Sequence, residues 1–347
     1  MVIQQAQDLR RIVIDILSAV GASATNAAEV ASHLVGSELS GVATHGVAQV
    51  PSYVQAIQVG DLLPRAEPAV LNDLPVAALT TGNWTFGHVA ARHAAEIAIE
   101  KACAAGLAVV SIVQTHHIGR VGHYVEMGAR EGMISMVFAG GFGVIDPQTV
   151  PYGGRTALMH TNPIAMGFPV ADADPMMFDF ATTTLSGVKV INAHSRGEDL
   201  PPGAIVDSEG RPTTDPQAFM DGGSHLPFGA HKGYALMMAV EFLGRVFSGS
   251  DDFADASRGG AVMRHQGVTM LMMKADLVRG MDHYMRGAAD MVASVHSADP
   301  APGFTEVLVP GDIESRSRSE RERSGIPLHE DVWEGLVDAA TAVGVVV

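Results

Sequence analysis

The chain has 347 residues, 47% of them hydrophobic and 17% charged, which is enough for one large core or two ordinary ones and excludes wholesale disorder. Its formal charge of −16, from 22 Lys and Arg against 38 Asp and Glu, repels nucleic-acid phosphates and anionic membranes. A lone cysteine, Cys103, excludes an internal disulfide. An N-terminus without a signal-peptide apolar core, and no apolar run of membrane-spanning length, complete the expectation of a cytoplasmic protein.

Leu9, Val13, Ile16, Leu17 and Val20 recur at helical spacing, and Gly21 ends that helix. Asn26 with Glu29 has the form of a capping box opening a second helix through Val30, Leu34 and Val35. The turn Ser40-Gly41-Val42-Ala43-Thr44-His45-Gly46-Val47 comes next. Val50, Tyr53, Val54 and Ile57 then form a third helix closed by Gly60-Asp61. His45 thus lies in a glycine-flanked turn, where an imidazole can face a cleft and exchange a proton. On this motif alone, a turn histidine bonded to backbone is the simpler reading.

From residue 76 the pattern becomes strand, helix, strand, with Ala94, Ile97 and Ala98 on one face of a helix over residues 90–105. Residues 107–113, LAVVSIV, are a short β-branched run and read as a strand buried on both faces. It gives way to Thr115-His116-His117, then Gly119, Arg120, Gly122 and His123. Ligands bind outside the carboxyl ends of strands in open α/β sheets, so imidazoles and a guanidinium there form a candidate site. A helix over 124–131 and a strand over 133–139 continue an α/β alternation. No G-x-G-x-x-G follows a strand and opens a helix. Gly140-Gly141-Phe142-Gly143 has the wrong spacing, so a bound dinucleotide would be held by another route.

Met176-Met177-Phe178-Asp179-Phe180 reads as a strand ending in the polar run Ala181-Thr182-Thr183-Thr184. Ser186-Gly187-Val188-Lys189 then opens a helix through Ile191, and proline-rich turns follow at 201–203 and 211–216. Lys232 stands at the start of an apolar helix over 235–247, where free N–H groups and the helix dipole favour an anion. A solvated lysine is the equal alternative. A strand over 268–273, a helix capped by Asp282, a charge-mixed and solvated helix over 316–324, and a last helix carrying Trp333, Leu336, Val337 and Ala340 complete the chain. Three regions follow: a helical N-terminal part at 1–75, an α/β core at 76–300, and C-terminal helices at 301–347 packing back on the first.

The chain has 15 histidines, but adjacent His116 and His117 point apart at a strand end, and no His-Glu-x-x-His or cysteine ligand set exists, which disfavours a metal site. No G-x-S-x-G elbow suggests a serine hydrolase. Histidine acid–base chemistry beside an anion-holding cation remains, as hydride transfer at a C–O or C–N centre requires.

Seven segments in order carry a resemblance: Thr44-His45-Gly46-Val47, His116-His117-Ile118-Gly119, Thr161-Asn162-Pro163-Ile164-Ala165, Asp179-Phe180-Ala181-Thr182-Thr183, Pro212-Thr213-Thr214-Asp215-Pro216, Lys232-Gly233 and Pro310-Gly311. Over nearly its whole length the chain resembles the malate/L-lactate dehydrogenase family of NAD(P)-dependent 2-hydroxyacid oxidoreductases. His116 to Arg120 with His231 to Tyr234 most resembles its bacterial hydroxycarboxylate dehydrogenase branch. The resemblance implies a non-Rossmann α/β fold with a large mixed-sheet cofactor domain and helical N- and C-terminal parts. It further implies a homodimer with the active site near the subunit boundary, NAD or NADP as cofactor, with NAD preferred, and a small hydroxy or oxo carboxylate as substrate.

His117 is the expected acid/base, with His45 orienting the substrate or serving as alternative donor. Expected cofactor contacts are His45, Gly122, Gly141, Asp179, Phe180, Ala181, Thr182, Thr183, His231, Lys232, Gly311, Asp312 and Ile313. Many family members carry an arginine where this chain has Gln49, and glutamine cannot make the bidentate carboxylate pair. Arg120 is therefore expected to take the substrate carboxylate, helped by Gln49, Thr44 and Tyr53. Two alternatives stand beside this reading: reduction of a cyclic imino acid such as pyrroline- or piperideine-2-carboxylate, and a non-catalytic binding protein on the same fold.

Overall fold

The computed structural model describes residues 1–347. Its centre is a seven-stranded sheet in the order Ala69–Leu74, Ala77–Thr81, Leu107–Val113, Gly267–Lys274, Met133–Gly140, Ile164–Phe168, Met176–Phe180. Only Ala77–Thr81 and Leu107–Val113 pair in parallel; every other ladder is antiparallel. The strand Gly267–Lys274 inserts between two strands more than a hundred residues earlier, with Met270 opposite both Val110 and Val137. Strand alternation divides its side chains between two layers. Val268, Met270 and Met272 join the core beneath the helices Gly87–Ala105 and Gly122–Arg130. Thr269 faces the other way and donates to the Leu243 carbonyl at 2.7 Å.

Helix Gly87–Ala105 buries Ala90, Ala91, Ala94, Ala95, Ala98 and Ala102. Methyl-sized side chains let its axis lie close to the sheet, and its apolar area is shed from water without rotamer cost. A second core joins helices Ala6–Ala19, Ala24–Leu39 and Val50–Val59 to the end of the chain through Ile326, Leu328, Leu336 and Ala340. The strand Ile326–Leu328 pairs antiparallel with Val2–Gln4.

Four details depart from expectation. Ser23, not Asn26, caps the second helix, accepting from the Asn26 N–H at 3.1 Å. Asn26 lies inside the helix and sends its amide to Pro64 O, Ala66 O and Thr85. The sheet begins at Ala69, inside the stretch assigned to the N-terminal helices, because Ala69–Leu74 forms a hairpin with Ala77–Thr81. Helix Met281–His296 is capped by Gly280, with Asp282 in its first turn. The charge-mixed helix starts earlier, at Asp312, and is not merely solvated: Arg318 pairs with Glu126 at 2.6 Å and Ser317 donates to Leu39 O at 3.0 Å.

Candidate active site

Beyond Leu107–Val113 the chain bends at Gln114, which takes φ of 50° and lends its carbonyl to the Trp84 N–H at 2.8 Å. The bend lays His116 and His117 across the start of helix Gly87–Ala105. Gly87 is required there, because a Cβ would meet His116 O at 2.1 Å and His117 O at 2.3 Å. The His45 turn arrives from the helical region and is anchored from below. Glu38 accepts the Val47 N–H at 3.0 Å, and a Cβ on Gly46 would fall 1.9 Å from the same carboxylate oxygen.

These two segments bring the rings of His45 and His117 to 5.6 Å in a stacked arrangement, 25° apart. Nδ1 of His117 bonds the Tyr53 hydroxyl at 2.8 Å, and Nδ1 of His45 bonds Thr44 Oγ1 at 3.0 Å. His117 stands at the boundary of two cavities. One, of about 340 Å³, is walled by Thr44, His45, Asp179, Phe180 and Lys189. The other, of about 460 Å³, is walled by Gln49, Ser52, Tyr53, Asp61 and His116. Phe142, from the glycine-rich run, borders both.

Burial lowers the His117 pKa well below the ordinary imidazole value, and neighbouring His45, His88 and His116 push the same way. The imidazole therefore rests neutral and is able to accept a proton. Burial also lowers His45, against the pull of the Asp179 carboxylate. Asp179 is raised by burial, opposed by the Gly122 N–H, 2.7 Å away, and by His45.

Of the expected contacts, Thr44, His45, His117, Asp179, Phe180, Ala181 and Thr183 line the smaller cavity, and Gln49 and Tyr53 the larger. Gln49 is engaged locally, its amide donating to Thr44 O at 2.9 Å. Thr182 is fully buried and donates to the carbonyls of Thr161 and Asn162, so its hydroxyl braces the wall from behind. The Gly141 N–H is spent on Glu241 at 3.0 Å.

Arg120 corrects the expectation for it. The side chain is 3% exposed and lines neither cavity at His117. Its guanidinium donates to Ser40 Oγ at 2.9 Å and lies 3.7 Å from Glu126, in a crevice of its own with Met177, Gly311, Glu314 and Arg318. Gly311 belongs to that crevice, where it caps helix Asp312–Ser324. Asp312 is committed to the Val309 N–H and His296, and Ile313 is exposed. His231 and Lys232 are exposed on helix His231–Glu241, outside the His117 cavities. Within one chain, Gly311 to Ile313 and His231-Lys232 thus lie apart from the cavities at His117.

Two residues outside the expected contacts, Ser186 and Lys189, complete the smaller cavity. Ser186 precedes helix Gly187–Arg196 without capping it, and its buried hydroxyl has no partner. Lys189, in the first turn, lines the same wall. Free N–H groups, a hydroxyl and an ammonium at one helix start suit a phosphate, and the Ser-Gly-x-Lys order at the helix opening was the available signal.

This is a mixed-sheet α/β fold with His45, His116 and His117 on the walls of two adjoining cavities. The chain belongs to the malate/L-lactate dehydrogenase family, which matches residues 4–337. It is 32% identical to hydroxycarboxylate dehydrogenase B of Escherichia coli K12, over 98% of this chain and 94% of that one. Against the Pseudomonas putida Δ1-pyrroline-2-carboxylate/Δ1-piperideine-2-carboxylate reductase it is 31% identical, over 95% and 94%. The solved sulfolactate dehydrogenase of Methanocaldococcus jannaschii superposes with a TM-score of 0.89 at 27% identity, covering 99% of this chain and 98% of that one. The protein is a hydroxyacid dehydrogenase, an oxidoreductase, and the family implies a nicotinamide cofactor.

Proposed function

We propose that the enzyme interconverts a 2-hydroxy acid and its 2-oxo acid with His117 as the acid–base group. The observation that carries this is the placement of His117 on the wall shared by both cavities, with Nδ1 held by Tyr53 and Nε2 left for substrate. Bound nicotinamide supplies the two-electron acceptor. His117 takes the hydroxyl proton at Nε2 in oxidation and returns it in reduction. His45, stacked on it and facing Asp179, orients the substrate oxygen. Ser186, Lys189 and the N–H groups at Gly187 hold the cofactor phosphates.

NAD is the preferred dinucleotide. The smaller cavity offers one ammonium, Lys189, and one carboxylate, Asp179, a balance poorly suited to an added 2′-phosphate. The cytoplasm, a reducing compartment, suits the free thiol of Cys103. The active form is a homodimer. Helix Met281–His296 buries no residue within its own chain, and beside it runs an apolar groove of about 680 Å³ lined by Phe168, Met176, Met291 and Val295. A second copy covers this face, and sedimentation of Met291→Asp as a monomer tests it.

A panel of 2-hydroxy acids assayed by nicotinamide absorbance with NAD and NADP tests the reaction. Pyrroline-2-carboxylate belongs in the reductive panel, since one relative acts on it by name. Turnover of the imino acid alone would select the imine reading. Absence of any thermal shift with either cofactor would select the non-catalytic one.

A further inference from the structure

Behind His117 lies a group that the reaction as drawn does not use. Tyr53 is 1% exposed, and its hydroxyl has two neighbours, His117 Nδ1 at 2.8 Å and His88 Nε2 at 3.5 Å. A phenol has one proton to donate, so it serves one of these nitrogens at a time. Burial raises the Tyr53 pKa, which keeps it a phenol. When Tyr53 donates to His117, the neutral imidazole carries its own proton on Nε2, the atom facing substrate, and cannot act as base. When Tyr53 donates to His88, His117 Nδ1–H donates to the phenol oxygen and Nε2 presents a lone pair.

His88 is fully buried, with its ring 4.6 Å from that of His33 and 5.4 Å from that of Tyr53. Gly119 closes on its Nε2, where a Cβ would come within 2.6 Å. Burial holds its pKa at about 3, and neighbouring His123, His116 and His45 lower it too, so it stays neutral, and its Nε2 accepts from Tyr53 when the ring proton sits on the buried, unpartnered Nδ1. His45 and His116 are the other titratable groups facing His117.

We propose that His88 is a positioning residue which, by accepting the Tyr53 hydroxyl proton, sets the tautomer of His117 that leaves Nε2 free for the substrate proton. It is the acceptor within the reach of Tyr53 that lets this hydroxyl turn from His117. The inference rests on His117 as acid–base group.

The test is a double-mutant cycle read in kcat and KM, with 15N NMR of the histidine rings in the free protein. Tyr53→Phe removes the hydroxyl and lowers kcat about tenfold, with KM and cofactor affinity little changed. His88→Leu leaves the hydroxyl with His117 alone, forces the unproductive tautomer, and lowers kcat further, on the order of a hundredfold. Tyr53→Phe with His88→Leu returns to the level of Tyr53→Phe alone, because the misdirected hydroxyl is gone. His88→Gln, which keeps an acceptor, retains more kcat than His88→Leu.

In the unsubstituted protein, NMR finds the His117 proton on Nδ1, and in His88→Leu on Nε2. Losses that add in the double variant, or a His117 proton on Nε2 before substitution, would overturn the proposal. The NMR arm needs no substrate, so failure of the hydroxyacid panel with the tautomer as stated would count against the reaction and not against the relay.

Discussion

The rings of His45 and His117 stack at 5.6 Å on the wall of one cavity, although one residue comes from the helical region and the other from the end of a sheet strand. His45 hangs from the helical region by Glu38 and Val47, and His117 from the end of a sheet strand. Their spacing depends on how those two bodies pack, so the site reports on the docking of the helices against the sheet. His45→Ala keeps the base and loses the orienting ring. KM for the hydroxy acid should rise severalfold and kcat fall by roughly tenfold or less. Steady-state kinetics check this, and a loss as deep as that of the His117 variant would make His45 the proton-handling group instead.

Arg120 behaves as a structural cation. Its partners are Ser40 and Glu126, and Glu126 is also gripped by Arg318 and Arg130. Burial alone would raise the Glu126 carboxyl, but these arginines hold it at about 2. Arg120→Ala should lower stability by roughly 2 kcal/mol, the scale of a lost charge-assisted bond, while KM stays within about twofold. Thermal denaturation and kinetics on one preparation separate the two effects. A large rise in KM with an unchanged melting temperature would restore the substrate role.

Glu38 gives the His45 turn a pH dependence. Burial raises its pKa to about 7, with the Val47 N–H and Arg321 opposing. The folded protein therefore holds this proton across a range where the unfolded chain has lost it. The stabilisation is complete below the ordinary carboxyl value and is lost as pH rises through about 7. Glu38→Gln should match the parent protein near the ordinary carboxyl value and melt a few degrees higher at pH above about 8. Differential scanning calorimetry at the two pH values is the check.

Gly87 connects sequence to site directly. Alanine there drives a methyl into the carbonyls of His116 and His117, and backbone on both sides cannot yield cheaply. Gly87→Ala should cut kcat by at least about tenfold, although alanine is a better helix former than glycine. Circular dichroism showing an intact helix beside the kinetic loss would locate the damage at the strand end.

Much of this was legible in the chain. The β-branched run Leu107–Val113 announced a buried strand, and the polar residues beyond it announced a site, because a strand's apolar composition and its abrupt end are local facts. What depended on distant partners was not. Nothing near Gly267–Lys274 says that it enters between two earlier strands, since its Met-rich face suits any apolar neighbour. Arg120 lies three residues from His117, but its fate is set by Ser40, Glu126 and Arg318, which reach it from three other segments. Lys232 announced a helix start correctly, but the direction in which that start faces belongs to the tertiary fold. Tyr53 lines the larger cavity, but nothing in its own segment says that its hydroxyl meets His117 and His88.

The most direct measurement is the pH dependence of hydroxyacid oxidation in the parent protein and in His117→Ala, with cofactor binding followed by fluorescence on the same samples. With His117 as base, the parent rate is flat above neutrality and falls on the acid side, because burial places the imidazole pKa below its ordinary value. His117→Ala binds cofactor normally, loses on the order of 10²- to 10⁴-fold in kcat, and no longer shows that acid limb. A variant that keeps both the rate and the limb would contradict the account.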